Sequence, residues 1–367
     1  MIDSFSVWRR FDYTLFTATL VLVVFGILMI GSATQGAIDD DIISRVPDQI
    51  NFAIIGFIVT IVMATIDYRL LGGLSPWLYA GMVLMLIMVE FFGVEGAGGA
   101  KRWLNIGIRI QPSEIGKIIL IITLSQYVAQ RYLELGKLSN VFRTMLHVAI
   151  PAALIFAQPD LGTTIVFLVI WAVIIWSAGL RLRHIALFMF ALAIILPIIF
   201  PLLEPYQRAR VETFINPDLD PDAAYNINQA RISIGSGGLL GKGYAVGPQN
   251  TGRFLRVRHT DFIFSVIAHE FGMVGGVAVL AMFALILARI LKGAREASDP
   301  LGSMICYGVA AMIFFQTTVS IGMNLNLMPV TGLTLPFVSS GGTSLLFTMV
   351  GVGLVESVIV RRRRIII

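Results

Sequence analysis

The sequence predicts an all-α polytopic membrane protein with about ten transmembrane helices, both termini cytoplasmic and one large extracytoplasmic loop. Of its 367 residues, 57% are hydrophobic and only 13% are charged, whereas a soluble domain carries about 25% charged residues. Apolar runs long enough to cross a bilayer recur along the chain, and basic residues favour one set of connecting loops. A water-soluble core cannot bury this much apolar surface, so the chain belongs in a membrane.

The elements follow from the apolar runs, since a spanning helix needs about 20 mostly apolar residues. We treat 1–367 as a single integral membrane domain, with 204–261 as the large extracytoplasmic loop between helices 7 and 8. The predicted spans are 12–32, 50–66, 73–93, 114–130, 144–157, 163–180, 184–203, 266–292, 302–323 and 342–360.

The basic residues orient the chain in the membrane. Arg9 and Arg10 precede the first span, and Arg361–Arg364 follow the last one, so both ends are predicted to be cytoplasmic. We interpret the terminal arginine run as an anchor that faces anionic lipid, not as a nucleic-acid patch. This orientation predicts a multi-pass protein of the bacterial cytoplasmic (inner) membrane.

Two loops on the opposite, extracytoplasmic face break the expected charge rule. The loop near 94–113 carries Lys101, Arg102 and Arg109, and the long loop carries Arg208 and Arg210 among others. We expect these cations to bind an anionic ligand outside the membrane. Pairing with acidic residues of the same long loop, such as Glu204 and Glu212, is the alternative.

A helix start is predicted where the first of these loops ends, at Gln111–Lys117. Pro112 suits the first turn, Glu114 is favoured near the positive helix end, and Lys117 falls on the same face three residues later. Lys117 either binds a phosphate or pairs with Glu114 at the interface, with its ammonium extended towards water. Trp103 either stacks on a sugar or anchors the chain at the interface.

Two further segments carry open alternatives. Asp160, in a tight turn between two spans, is either a functional carboxylate or a helix N-cap. The apolar, glycine-rich Ala230–Gly238 lacks the Gly-Lys-Ser/Thr ending of a nucleotide phosphate loop. It is therefore predicted to be a re-entrant or surface-lying segment.

The strongest catalytic candidate is Asp261, where the long loop meets an apolar helix. Thr260 is predicted to cap that helix, with Asp261 in its first turn. The helix dipole favours the ionised carboxylate, and desolvation near lipid opposes it, so Asp261 suits a general base. His269 and Glu270 lie about two turns deeper and are functional or a satisfied structural pair.

The predicted location restricts the chemistry. No ATP or nucleotide sugar is present outside the membrane, so an enzyme there needs a substrate that carries its own leaving group. A lipid-linked sugar pyrophosphate meets this need: cations neutralise the departing pyrophosphate, and a carboxylate deprotonates the acceptor hydroxyl. A single catalytic carboxylate fits direct inverting displacement.

The motifs that bear these residues resemble the SEDS family (shape, elongation, division and sporulation proteins) over nearly the whole chain, and its RodA branch more than its FtsW branch. They are Gly99–Leu104, Gln111–Glu114, Gln158–Thr163, Tyr206–Arg210, Ile234–Leu239, His259–Phe264 and Leu335–Gly342.

The resemblance implies a peptidoglycan glycosyltransferase that polymerises lipid II into glycan strands for cell elongation and rod shape, with Asp261 as the catalytic residue. It implies a class B penicillin-binding protein and the elongation machinery as partners, and no nucleic acid. No cofactor is certain, and a divalent cation remains an alternative with unknown ligands. The substrate-binding candidates are Lys101, Arg102, Trp103, Arg109, Gln111, Glu114, Lys117, Asp160, Arg208 and Arg210, with His259, Glu270 and Ser339 as secondary candidates.

The chain departs from the family pattern at three places. Arg256-Val257-Arg258 replaces a Pro-Glu pair that often precedes His-Thr-Asp, His269 replaces a Glu, and Ser340 replaces a Tyr. These departures concern secondary positions and leave Asp261 in place. A lipid II flippase without bond chemistry, or another lipid-linked glycan polymerase or ligase, is the alternative function.

Overall fold

A computed structural model shows a bundle of helices. A small sheet and two helices of the long 204–261 loop lie at one end of it. The structure describes residues 8–36, 40–95, 101–105, 107, 109–132, 138–180, 183–184, 186–187, 190, 194, 200–216, 221–247 and 257–362. Several predictions fall outside them: most of the span 184–203, Gly99 and Ala100 of the first motif, Arg256, and Arg363 and Arg364.

The bundle is built from helices that we number in chain order. The described helices are α1 (Tyr13–Thr34), α2 (Asp40–Ile43), α3 (Arg45–Thr65), α4 (Tyr68–Gly73), α5 (Ser75–Phe92), α6 (Pro112–Ala129), α7 (Leu138–Ala157), α8 (Leu161–Ser177), α9 (Pro205–Ile215), α10 (Pro221–Gly237), α11 (Ile263–Glu296), α12 (Pro300–Asn324) and α13 (Gly342–Val360). A short 3₁₀ helix occupies Phe200–Leu202.

Nine of the ten predicted spans coincide with helices α1, α3, α5–α8 and α11–α13. Within the described residues, seven helices are long and apolar enough to cross a membrane, and α8 is a shorter apolar helix. The multi-pass membrane fold is therefore confirmed. Helix α6 is not among the seven, and most of its side chains are buried inside the bundle, where its polar groups avoid lipid.

The core lies around α6, α12 and α13. In the most apolar windows of α12 and α13, 78% and 83% of the residues are buried, against 17% in α5. Glycines allow the close approach: a methyl group on Gly308 of α12 would lie 2.9 Å from Ile121 of α6. Helix α5 instead exposes Trp77, Phe91 and other large apolar side chains, as expected of a helix that faces lipid.

The segment near 94–113, which was predicted to be a loop, contains three short strands. Strand β1 (Val94–Glu95) pairs antiparallel with β2 (Lys101–Asn105), and β2 pairs antiparallel with β3 (Arg109–Ile110). The backbone of β3 is tied to α13, since Thr343 Oγ1 donates to the Arg109 carbonyl at 3.2 Å. The small sheet thus lies at the end of the bundle where α13 begins.

Helix α11 is broken at Gly272, whose φ of 64° and ψ of −160° are not helical. The glycine-rich Gly238–Gly243 segment pairs with the break. The N–H groups of Lys242 and Gly243 donate to the carbonyls of His269 and Glu270, at 3.0 Å each. In return, the N–H groups of Met273 and Val274 donate to Gly238 and Leu239 at 2.9 and 3.1 Å.

Glycine is required in this segment because the backbones touch. A methyl group on Gly241, whose φ is +84°, would lie 2.0 Å from the Glu270 carbonyl oxygen. Leu239 and Leu240 at the tip are 65% and 81% exposed, which suits contact with lipid. The backbone of Gly238–Gly243 thus pairs with the polar groups exposed by the break in α11. The predicted segment Ala230–Gly238 is helical up to Gly237, at the end of α10, and its re-entrant or surface-lying position stays a prediction.

The terminal arginine run differs in part from the predicted lipid anchor. Arg361 is buried and donates to the carbonyls of Ala64 and Thr65 at 3.1 and 2.6 Å, at the end of α3. Arg362 donates to Glu296 at 2.8 Å. The Arg361 contacts form because the last carbonyls of a helix lack intrahelical donors and attract cations. For Arg361, which is buried, the anchor interpretation was wrong; for the partly exposed Arg362 it stays a prediction.

Candidate active site

Asp261 lies in a turn immediately before α11, not inside the helix. The N-cap residue is Phe262, which offers no side-chain oxygen, and the helix starts at Ile263. Thr260 Oγ1 donates backwards to the Val257 carbonyl at 3.3 Å. The predicted Thr260 cap was therefore wrong, although Asp261 still lies beside the positive end of the helix.

The surroundings of Asp261 tune its basicity. The side chain is partly exposed, yet protein atoms surround it closely, and this burial raises the pKa of the carboxyl above its ordinary value. The Arg210 guanidinium and a hydrogen bond with Thr260 act in the opposite direction. A carboxylate with a raised pKa that stays close to a cation is a stronger base than an exposed aspartate and can still be ionised.

The backbone before Asp261 is held by the loop that precedes α13. Ser339 Oγ donates to the Thr260 carbonyl at 2.7 Å, and the Ser340 N–H donates to the His259 carbonyl at 2.9 Å. Gln49 of α3 fixes this loop in turn, donating to the Ser339 carbonyl at 3.2 Å. Ser339 therefore holds the backbone of Thr260, the residue before Asp261. The departure at Ser340 is tolerated because its contact with His259 uses the Ser340 backbone.

His259 is a buried neutral side chain. Burial, followed by the nearby Arg45 and Arg258, lowers the pKa of its imidazole to about 4. Arg258 is itself buried and donates to the Ala33 carbonyl near the end of α1. Val257 is 38% exposed. Among the departures, Arg258 thus has a structural role, and Arg256 lies outside the described residues.

Two of the predicted cations meet in one cleft. Arg102 and Arg210 line it together with Pro159, Leu161, Gln207 and Thr331. Arg102 is held by the carbonyls of Gln158 and Pro159, and Arg210 Nη1 donates to the Val330 carbonyl at 3.3 Å. Because the charge of Arg210 also lowers the pKa of Asp261, the cleft contributes positive charge near the candidate base.

Asp160 caps α8 and also supports the cleft. Its Oδ1 accepts from the Thr163 N–H at 3.1 Å, and its Oδ2 accepts from Thr163 Oγ1 at 2.9 Å and from Gln111 Nε2 at 3.1 Å. The N-cap alternative is therefore confirmed. Since Asp160 is buried and fully engaged, it orders the turn whose carbonyls hold Arg102.

Glu114 and Lys117 form the predicted pair inside α6. Lys117 Nζ lies 2.7 Å from Glu114 Oε2, and the two side chains are only 1% and 8% exposed. The pair of the structural alternative is therefore present, but its ammonium does not extend to the interface, where it would be exposed. A buried ion pair costs desolvation and is weak evidence of a purely stabilising role.

The remaining candidates of the two basic loops do not line the cleft. Lys101 and Arg109 are exposed on the small sheet. Trp103 lies one residue from Arg102 on β2, so it faces the opposite side of the strand. Arg208 donates to the carbonyls of Pro201 and Leu203, which makes it a support for the 3₁₀ turn.

His269 and Glu270 adjoin the break in α11. His269 Nδ1 contacts Ser236 Oγ at 2.9 Å, and Glu270 Oε1 accepts from Ser32 of α1. Both side chains are almost completely buried. They connect α1 and α10 to α11 rather than lining the Arg102–Arg210 cleft. Among the described residues, no group of three or more His, Cys, Asp or Glu side chains could hold a metal ion.

Three residues near the candidate site were not predicted as site residues from the sequence: Gln207, Thr331 and Asn324. Gln207 and Thr331 line the cleft, and Asn324 donates to the Asp261 carbonyl at 2.8 Å. Asn324 carries a sequence signal, because a polar side chain at the end of an apolar helix is costly unless it is used. Neither Gln207, in the predicted long loop, nor Thr331 was singled out as a separate site candidate, since polar residues are ordinary in segments predicted to be loops.

Comparison with known proteins gives matches over nearly the full chain. The family model for FtsW, RodA and SpoVE, described as "Cell cycle protein", matches residues 13–364. Peptidoglycan glycosyltransferase MrdB of Escherichia coli (strain K12) is 38% identical over 355 residues, covering 96% of this chain and 94% of MrdB. Peptidoglycan glycosyltransferase RodA of Treponema pallidum is 31% identical, covering 96% and 98% of the two chains.

Solved structures give the same fold. The rod shape determining protein RodA of Thermus thermophilus has a TM-score of 0.73 and 30% identity, covering 97% of this chain and 99% of the other. A chain from a peptidoglycan synthase complex, in a study of coordinated polymerization and crosslinking, has a TM-score of 0.82 and 31% identity. The match covers 95% of this chain and 97% of that chain.

Proposed function

The chain belongs to the FtsW, RodA and SpoVE family and is a peptidoglycan glycosyltransferase of the cell-elongation type, and from this premise we propose that it polymerises lipid II beside Asp261. The observation that carries the proposal is a candidate base, Asp261, that is influenced by the charge of Arg210, a residue of the cleft that also contains Arg102. The pKa of the Asp261 carboxyl is raised by burial.

The proposed reaction is a direct displacement. Asp261 removes the proton from the acceptor sugar hydroxyl, and the resulting oxygen attacks the anomeric carbon of the lipid-linked donor sugar. The bond from that carbon to the pyrophosphate oxygen breaks, and undecaprenyl pyrophosphate leaves with the bonding electrons. The configuration at the anomeric carbon inverts, since one carboxylate acts as base and no covalent intermediate forms.

The two arginines of the cleft would stabilise the leaving group. A pyrophosphate gains negative charge as its bond to the sugar breaks, and preorganised cations stabilise that charge most when water is excluded. Arg102 and Arg210 are already oriented by backbone carbonyls, so little reorganisation is needed. Lys117 with Glu114 on α6, and Gln111 just before α6 through its bond to Asp160, would support this arrangement.

The proposed location is the bacterial cytoplasmic membrane, with the cleft and the 204–261 loop on the extracytoplasmic face. Support comes from the opposite end of the bundle, where Arg69, Arg289, Lys292 and Arg362 form ion pairs. Positive charge concentrates on the cytoplasmic side of membrane proteins. Both termini would then be cytoplasmic.

A class B penicillin-binding protein is the proposed partner, within the elongation machinery. A likeness to a chain of a peptidoglycan synthase complex supports this proposal, because that study concerns coordinated polymerization and crosslinking. A transpeptidase would crosslink the peptides of the strands that this chain produces.

The test uses purified full-length protein with lipid II, alone and with the partner, and measures glycan strands on a gel. We expect polymer from the wild type and none from Asp261→Asn, which keeps the shape of the side chain but cannot accept the proton. Asp67→Asn, at the far end of the bundle, is the matched control and should stay active. Parallel reactions with EDTA test whether a divalent cation assists.

Strand formation by folded Asp261→Asn protein would contradict the role of the aspartate. A flippase would instead move leaflet-labelled lipid II across liposomes without forming polymer. Transport without polymer would contradict the proposed polymerisation and favour the flippase function.

A further inference from the structure

Asn324, the last residue of α12, is fully buried and connects two helices at the candidate base. Its Nδ2 donates to the Asp261 carbonyl at 2.8 Å and to the Ser320 carbonyl at 2.7 Å. Its Oδ1 accepts from the Ser265 N–H at 3.0 Å and from Ser265 Oγ at 2.6 Å. An asparagine amide offers two donors and two acceptor lone pairs, and all of them are used here.

The contact with Ser265 replaces a missing helix cap. Ser265 is the third residue of α11, a position whose N–H usually bonds to a side-chain oxygen of the N-cap residue. Phe262 occupies the N-cap and has no such oxygen, although its carbonyl also lies 3.1 Å from the Ser265 N–H. The capping oxygen therefore comes from a different helix, through Asn324.

The same amide fixes the residue that precedes the helix. Because its oxygen must face the Ser265 donors, its nitrogen must face the Asp261 carbonyl, and the amide cannot turn over without losing these bonds. Asn324 thus sets where the Asp261 backbone lies relative to α11 and α12. Ser339 holds only the preceding Thr260.

We propose that Asn324 is a positioning residue for Asp261 in glycosyl transfer, an inference that rests on the proposed function. Asn324 acts through the backbone of Asp261. Displacement of a reacting group by about 1 Å can lower a rate by about 100-fold. Losing this hydrogen bond should therefore lower turnover and leave lipid II binding unchanged.

The experiment measures kcat, KM for lipid II, the pH profile and the melting temperature of full-length protein. For Asn324→Ala we expect a kcat about 10- to 100-fold lower, with KM within about 2-fold. The acid limb should stay in place, because a neutral side chain is removed. Asn324→Asp, which keeps the acceptors but cannot donate when ionised, provides a second variant of similar size and should also lose turnover.

Two controls separate positioning from stability. Ser265→Ala removes one partner of Asn324 but keeps the bond to Asp261, so its kcat should stay near that of the wild type. Thr317→Val removes a buried hydroxyl that has no partner among the described residues, seven residues earlier on α12, and should behave likewise.

Wild-type turnover in both Asn324 variants would overturn the inference. Equal proportional losses of kcat and melting temperature in Asn324→Ala and Ser265→Ala would also overturn it, because they would indicate general loosening of the α11–α12 contact. Absence of polymer from the wild type would contradict the proposed function instead, so the two failures can be distinguished.

Discussion

At the scale of single residues, the charge on Arg210 sets the pH range in which Asp261 can accept a proton. Burial raises the pKa of Asp261, and Arg210 lowers it, so removing the guanidinium should raise the pKa further. Arg210→Ala should therefore move the acid limb of kcat/KM to higher pH and also lower the plateau. Arg210→Lys keeps the charge and should hold the limb near its wild-type position. A limb that stays fixed in Arg210→Ala would show that Asp261 does not govern it.

Lys117 allows a second residue-scale prediction. Lys117→Ala should lower turnover more than it harms folding, although it leaves Glu114 buried without its cation, which itself costs about 3–5 kcal/mol. The double variant Glu114→Gln/Lys117→Met removes both charges and should recover the melting temperature. If the ammonium serves catalysis, the double variant stays at least about 10-fold slower than the wild type. Recovery of turnover together with stability would instead assign the pair a structural role.

At the scale of elements, the spans were predictable because about 20 apolar residues have few alternatives to a membrane helix. The break at Gly272 and its pairing with Gly238–Gly243 were not, since both depend on hydrogen bonds between segments distant in sequence. The same reason explains Thr260: local capping rules favoured it, but Asn324 supplies the cap oxygen from another helix. Asp261 was predicted as the candidate base because a carboxylate beside an apolar helix is costly and rare.

The glycine segment gives a prediction for an element. Gly241→Ala places a methyl group against the Glu270 carbonyl and forces a side chain into a positive φ. We expect a loss of about 2 kcal/mol or more in unfolding free energy. Gly235→Ala, on the exposed side of α10 with no atom within 4 Å of the added methyl, should be neutral or stabilise by about 0.5–1 kcal/mol. Equal stability of the two variants would contradict the packed break.

At the scale of the whole molecule, hydrogen bonds and ion pairs join neighbouring elements at both ends of the bundle. At one end, Ser339, Ser340 and Asn324 fix the backbone around Asp261. At the other end, Asp12 accepts from Arg289 at 2.6 Å, and its N–H donates to Glu356 at 3.0 Å, which joins the start of α1 to α11 and α13. Helix α13 has 19 residues, so the two ends lie about 27 Å apart at 1.5 Å per residue.

This separation predicts that stability and catalysis respond independently to changes at the two ends. Arg361→Ala removes a buried guanidinium that donates to the last carbonyls of α3, and it should cost about 2–3 kcal/mol of unfolding free energy. Arg362→Ala breaks a half-exposed pair with Glu296 and should cost less than about 1 kcal/mol. Neither variant should change the kcat or the acid limb of the folded enzyme, because both act far from Asp261. A kcat loss in Arg361→Ala below its melting temperature would instead reveal coupling along α13 between the end of the chain and the Ser339–Ser340 loop.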